Sequence, residues 1–427
     1  MKIVHLKNTQ IAVGDPPLLN AAGLHAPYAL RIIVELKTDA GIIGLSEIPG
    51  SQKIYLALED LSSLLVGKDV FGLHGIKRLI LEKFGTRDNE RGVAPWDQRL
   101  LVHLFSAIEV ACLDCIGKKL KRPIVDLLGG KSREKVPFAA YLFYKYEGAG
   151  GDLGFDIDSS KKGWWLARQQ KALTPDQIVD QATAMCEEFG FKSIKLKGGA
   201  LPPNEECNSM LALREAFGED TPLRLDPNAI WSLPTAIECG KRLEGILEYY
   251  EDPVRGQKNM ALLAKEVNIP LATNMCTTSF DDLPSSIALA SEHIILSDHH
   301  FWGGLQASMQ LNKICETFGR GFSMHSNSHL GISMAAMTHL GAAVPHLDYA
   351  LDTHYPWQED EVIQGGKIPI QEGYVTPPDS PGLGVELDRD QLEKLHQNFL
   401  RCGLKERDDE IEMKKINPEW EFKLQRW

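Results

Sequence analysis

Two lysines, three oxygen-bearing residues and an acid–imidazole pair recur at regular intervals in the second half of the chain. Lys195 and Lys197 lie in the stretch S-I-K-L-K-G-G, alternating with Ile194 and Leu196. Successive side chains of a strand point to opposite faces, so both ammonium groups share one face and both aliphatics the other. Two lysines on one face of an inner strand repel each other and demand anions nearby, from the protein or from a substrate. Crowding is expected to depress a lysine's pKa, which suits one of the pair to act as a base. A solvent-exposed strand end is the plain alternative, and it loses weight once the neighbours are read.

Asp226 in L-R-L-D-P-N, Glu251 in Y-Y-E-D-P and Asn274 in A-T-N-M follow. Borne by successive strands about 5 Å apart, their oxygens would converge on one point. An oxygen-only set with two carboxylates suits a hard divalent cation, Mg²⁺ above all, with positions left for water or substrate. Asp226-Pro and Asp252-Pro also read as turn residues; three donors in register favour the metal. Farther on stand Asp298, in L-S-D-H-H-F-W, and His325, in F-S-M-H-S-N. A carboxylate beside an imidazole orients it and stabilises its charge. A lysine on one wall, a His–Asp pair on the other and a cation between them suit removal of a proton α to a carboxylate from either face. The cation and Lys195 would stabilise the enediolate dianion, and a β-hydroxyl can then be expelled as water with the aid of an acid.

Parallel strands would position these groups. Lys195, Asp226, Glu251, Asn274, Asp298, His325 and Asp352 close strand-like runs and are spaced by 31, 25, 23, 24, 27 and 27 residues. That is the interval of βα units. The runs are 223–227, 247–253, 270–275, 293–299, 321–326 and 347–354, with helices expected over 205–217, 234–243, 304–318 and 329–344. Thr174, Pro175 and Gln177 form a capping box opening another helix, which Gly190 ends. Seven or eight such units imply an α/β fold, a TIM-type (β/α) barrel with every strand's C-terminus on one face. An open doubly wound sheet is the runner-up, but it normally carries a G-x-G-x-x-G loop, absent here.

Residues 1–135 read differently: strands over 2–13, 30–38 and from 41, then helices over 55–65, 73–84 and about 98–120. This is an α+β cap. Residues 136–356 form the barrel, with 141–144 as a buried strand and 147–163 as a long loop. Residues 357–427 return to the cap, where two short strands within 365–375 are expected to pair with the N-terminal sheet.

Composition narrows the partners. Net charge is −12 with scattered basic residues, which argues against nucleic acid and anionic membrane. No run of about 18 apolar residues appears, arguing against a membrane span. Cys112 and Cys115 form a C-x-x-C pair inside an amphipathic helical pattern and no second pair completes a zinc site, so a buried stripe is the expectation. Eight dispersed cysteines and no apolar leader point to the cytoplasm. A homo-oligomer acting on a small molecule is expected.

Taken together the motifs resemble those of the glucarate dehydratase family, in the mandelate racemase-like subgroup of the enolase superfamily. The matching stretches span the chain: G-L-H-A-P-Y, S-E-I-P-G, A-Y-L-F-Y, I-K-L-K-G-G, L-D-P-N-A-I-W-S-L, Y-E-D-P, P-L-A-T-N-M, D-H-H-F-W, H-S-N-S-H and A-L-D-T-H-Y-P-W-Q. The resemblance implies Mg²⁺ held by Asp226, Glu251 and Asn274. It implies Lys197 as base for one epimer and His325, assisted by Asp298, as base for the other. It sets His25, Tyr141, Lys195, Asn274, Asn327, His354 and Arg407 against a six-carbon dicarboxylic acid sugar, with Lys195 and Asn228 beside the chemistry. The reaction implied is dehydration of D-glucarate or L-idarate to 5-keto-4-deoxy-D-glucarate.

Three stretches depart from the family pattern. Gln257 stands near a further glutamate's place, Leu100 or Leu101 replaces a substrate-touching threonine, and the loop over 144–166 differs. The second carboxylate ligand is therefore assigned to Glu251. The other readings are an epimerase or a dehydratase of another hexarate, a Schiff-base aldolase, and a weakly active paralogue serving as partner subunit. The aldolase would have no use for the three-oxygen set.

Overall fold

Strands Ile3–Gly14, Tyr28–Thr38 and Ile43–Pro49 form an antiparallel sheet in that order, with Ile11 opposite Arg31 and Ile33 opposite Glu47. Helices Gln52–Leu65, Leu73–Phe84 and Leu100–Leu120 cover it. The computed structural model describes residues 1–85, 91–97 and 99–427; Gln98, the expected start of the third helix, lies outside them. That helix lies so close to the sheet that a Cβ on Gly44 would sit 2.0 Å from the Ala111 carbonyl oxygen. It is long and apolar enough to cross a membrane by length and composition, yet 89% of its most apolar window is buried inside the protein. Cys112 and Cys115 are buried, unbonded members of that packed helix.

Eight parallel strands follow: Val136–Phe143, Ile194–Lys197, Leu223–Asp226, Tyr249–Glu251, Leu271–Thr273, Ile294–Ser297, Gly321–Met324 and Leu351–Thr353. The first seven pair one with the next in chain order, and the eighth pairs back on the first. Side chains close the remaining seam: Ser323 Oγ donates to the Ala350 carbonyl, and Ser326 Oγ accepts from the His354 amide, both at 3.0 Å. Seven helices alternate with the strands. Two of them, Gln257–Leu263 and Leu283–Leu289, span seven residues each, too short to print a helical period on the sequence. The Thr174–Gln177 capping box is present, and Gly190 ends that helix at φ +70°, where a Cβ would also meet the Glu372 backbone at 2.7 Å.

The tail departs from expectation. A single strand, Tyr374–Val375, pairs antiparallel with Val136 and Pro137 of the first barrel strand, not with the N-terminal sheet. Pro369 lacks the N–H that a second ladder strand over the preceding run would need. Helices Arg389–Cys402 and Asp409–Lys414 make the return instead, packing on Ile3–Gly14 and on Gly23–Leu24.

Asp114 ties these parts together. Its buried carboxylate accepts from the amides of Leu45 at 2.8 Å and Leu383 at 2.7 Å, and pairs with Lys118 at 2.9 Å. Asp114→Ala strands two buried N–H groups and should cost about 3 kcal/mol. A lowered urea midpoint would register that loss; an unchanged midpoint would show that the clamp contributes nothing.

Candidate active site

Pleat alternation turns every second residue of each barrel strand inward. Register then sets Tyr141 beside Lys195, Phe143 beside Lys197 and Lys197 beside Asp226. Lower in the barrel, Arg224 lies 4.7 Å from the centre of the Tyr249 ring, and Tyr249, Ala272, Ile294 and Leu296 fill the space. The polar cluster sits on this floor.

Lys195 is its hub. The buried ammonium lies 2.6 Å from Glu251 Oε2, 2.6 Å from Asp352 Oδ2 and 3.6 Å from Asp226 Oδ2, with the Tyr141 ring 4.7 Å away. Lys197 Nζ is 2.6 Å from Asp226 Oδ2. The expected depression of lysine basicity is not found at Lys195. Burial alone would lower its pKa, but Asp352 and Glu251 hold it well above the ordinary value, so Lys195 is a fixed cation. The carboxylates separate: burial raises both, yet Lys197 and Lys195 bring Asp226 down to about 2, while Glu251, facing Asp226 and Asp352, stays well above its usual range.

Asn274 joins through Nδ2, which donates to Glu251 Oε1 at 3.3 Å. Its backbone amide and that of Met275 donate to Asp252 Oδ2, and Asp252 also accepts from Thr273 Oγ1, so the loop bearing Asn274 is pinned. Asn228 donates to Asp226 Oδ1 through both its amide and its side chain. Two buried oxygens, Asn274 Oδ1 and Asn228 Oδ1, receive no hydrogen bond, and Glu251 Oε2 meets only the Lys195 ammonium. Such oxygens beside a surplus of carboxylate charge fit a hard divalent cation, with Asp226, Glu251 and Asn274 as the residues able to hold it. Gln257 is engaged by Thr277, Asp282 and Ser285 and takes no part in the cluster.

His325 follows the seventh strand. Its Nδ1 is 3.2 Å from Asp298 Oδ2, and its ring stacks on Phe301 at 5.3 Å. Burial, with Lys195 and Lys197 nearby, keeps its pKa below the ordinary 6.5 although Asp298 opposes this, so the imidazole is neutral and able to accept a proton.

His325 and Lys197 line one narrow cavity of about 40 Å³ together with Tyr141, His25, Asn327, His354 and Arg407. The sequence-derived substrate set is thus brought together in one space, with Asn274 and Lys195 beneath. The cavity shares His25, Asn327, Arg407, Trp96 and Phe301 with a larger vestibule of about 410 Å³. His25 donates from Nδ1 to Asp15 at 3.1 Å and accepts from Arg407 at 2.5 Å through Nε2; Arg407 also bonds Asp409 and lies 4.2 Å over Trp96. Sequence reasoning missed Phe143, Trp96 and Phe301, because an apolar wall looks like core in a sequence. It named Asp352 as a strand-end residue without seeing it as the counter-ion of Lys195. Leu100 and Leu101 are buried in the helix and line neither cavity.

Comparison with known proteins agrees with this geometry. Residues 177–391 match the enolase C-terminal domain-like family, and 17–129 match the mandelate racemase / muconate lactonizing enzyme N-terminal domain. A probable glucarate dehydratase of Streptomyces coelicolor is 44% identical, covering 98% of this chain and 96% of its own. The chain belongs to the glucarate dehydratase family of the enolase superfamily. Like the family's other members it is an acid-sugar hydro-lyase by descent. A Pseudomonas fluorescens enolase crystallised with magnesium, potassium and tartrate superposes with a TM-score of 0.92 at 47% identity over 100% of this chain and 99% of its own. One from Thermobispora bispora, complexed with magnesium and formate, gives 0.93 at 46% identity over the full length of both. A Salmonella typhimurium L-talarate/galactarate dehydratase is 25% identical over 88% of this chain and 85% of its own.

Glu251→Ala removes a carboxylate from the cation cluster. Calorimetric titration with Mg²⁺ should show binding weakened by about 100-fold or more; wild-type affinity in the variant would remove Glu251 from the ligand set.

Proposed function

We propose that this enzyme dehydrates a hexarate, D-glucarate or its epimer L-idarate, to 5-keto-4-deoxy-D-glucarate, with Mg²⁺ held by Asp226, Glu251 and Asn274. The observation that carries the reading is the meeting of a neutral imidazole and a lysine in one cavity above a carboxylate cluster. The two come from barrel strands separated by two others, which bring Tyr141, Phe143 and His354 between them. The magnesium-bound relatives and the probable glucarate dehydratase support it.

When bound, Mg²⁺ neutralises a substrate carboxylate and makes its α-proton more acidic. His325 takes that proton at Nε2, while Asp298 holds Nδ1–H in place and steadies the imidazolium that forms. Lys195, a permanent cation, meets the negative charge that develops on the carboxylate. Lys197 serves as base for the substrate epimer whose proton lies on the other side. The proton gained by His325 is then available to the departing β-hydroxyl, which leaves as water. Arg407 and His25, at the vestibule end, match the charge and hydrogen-bonding of the distal carboxylate.

A screen of hexarates with Mg²⁺, read by keto-acid formation, tests this directly. His325→Ala should lose about 10²–10⁴ of kcat on glucarate, whereas Lys197→Ala should hit idarate hardest. The acid limb of kcat/KM should have its midpoint below 6.5, because activity requires neutral His325 and that group's pKa is lowered. Full glucarate activity in His325→Ala would refute the assignment, and solvent deuterium uptake without keto product would indicate epimerisation.

A further inference from the structure

His300 lies one residue beyond His299 on the turn that begins with Asp298, and the chemistry above gives it no role. Its ring is fully buried. Nδ1 is 3.0 Å from Asp298 Oδ1, and Nε2 is 2.9 Å from the backbone carbonyl oxygen of Glu47, with Ser333 Oγ at 3.1 Å. A carboxylate and a carbonyl only accept hydrogen bonds, and the Ser333 hydroxyl, which accepts from Arg31, has its own hydrogen directed to the Glu47 carbonyl, so the geometry places hydrogen on both ring nitrogens.

The surrounding charges agree. Facing His300 are Asp298 on its own turn, Arg31 and Glu47 on two strands of the cap sheet, His299 and His329, Ser333 on the helix Gly331–Ala343, and His103 on the helix Leu100–Leu120. Burial keeps His299 and His329 well below the ordinary histidine value and lowers His103 to about 4, so these three are neutral. Arg31 pairs with Glu47 at 2.8 Å. Arg31 acts on Asp298 only from a distance, so among the described residues His300 and His325 are the basic side chains in direct contact with that carboxylate, in a space where an unpaired charge is costly.

We propose that His300 is a positioning residue held as an imidazolium, which neutralises Asp298 and thereby leaves His325 free to remain a neutral base. The proposal rests on His325 being the base in the reaction above. Asp298 is divided between the two rings: Oδ1 receives Nδ1–H and the backbone N–H of His300, and Oδ2 receives Nδ1–H of His325 and Nδ2–H of Asn327. Without the His300 charge, the whole attraction of Asp298 falls on His325, which would then hold a proton and lose its function as base at neutral pH. The cap supplies the second anchor through the Glu47 carbonyl, so this poise exists only when cap and barrel are docked.

Two measurements test the inference. Long-range ¹H–¹⁵N spectra of histidine-labelled resting enzyme at pH 7.5, with His300 assigned from the His300→Asn variant, should show both its ring nitrogens protonated. This readout needs no turnover and is unaffected if another group proves to be the base. In His300→Asn, which keeps a donor toward Asp298 but no charge, the acid limb of kcat should move up by about one pH unit or more, with KM little changed. A merely structural role would lower kcat without moving the limb. A neutral His300 ring in the wild-type spectrum, or an unmoved acid limb in the variant, would overturn the proposal.

Discussion

Three buried carboxylates against two buried ammonium groups govern this molecule's active face. Asp226, Glu251 and Asp352 surround Lys195 and Lys197, and all five side chains are buried. The set carries a surplus negative charge, and the strain falls on Glu251, whose ionised form burial and two neighbouring carboxylates disfavour. A divalent cation among Asp226, Glu251 and Asn274, as proposed, would relieve that surplus. On the proposed reading it would also make the cluster a receptor for a dianionic substrate, despite a net charge of −12 on the chain. Local field, not global charge, decides what binds.

The second constraint is the contact between cap and barrel. Arg31 and Glu47 leave the cap sheet and reach the turn after the seventh strand. Glu47 accepts from the amides of Leu330 and Ser333, both at 2.9 Å, at the start of the helix Gly331–Ala343, while Arg31 donates to Asn327 Oδ1 at 2.7 Å. The residues beside His325 are thus braced from another part of the fold. The C-terminal segment does the same at the vestibule end, where Arg407 bridges His25 and Asp409. In the proposed reaction, cap residues would set what enters and barrel residues would carry the chemistry.

The barrel was legible in the sequence because seven of its eight strands carry a polar residue at or beside their C-terminal end, and βα units impose nearly constant spacing. Lys195, Asp226, Glu251, Asp298 and His325 stand out for that reason. What the residues alone could not reveal lies between distant elements. The Phe143, Trp96 and Phe301 walls look like ordinary core, and the short helices Gln257–Leu263 and Leu283–Leu289 span too few turns to show a period. Lysine basicity was misjudged for the same reason: the alternation in I-K-L-K revealed the crowding, but not that Asp352, more than 150 residues away, would outweigh it. The tail strand found the barrel rather than the cap because pairing partners depend on free ladder edges, which a linear pattern does not disclose.

A crystal soaked with Mn²⁺, whose anomalous scattering locates the ion without reference to activity, tests the central claim most directly. One peak should lie within about 2.2 Å of oxygens from Asp226, Glu251 and Asn274, between Lys197 and His325. A peak elsewhere, for instance among the buried Asp15, His25 and His354, with this cluster left empty, would contradict the account.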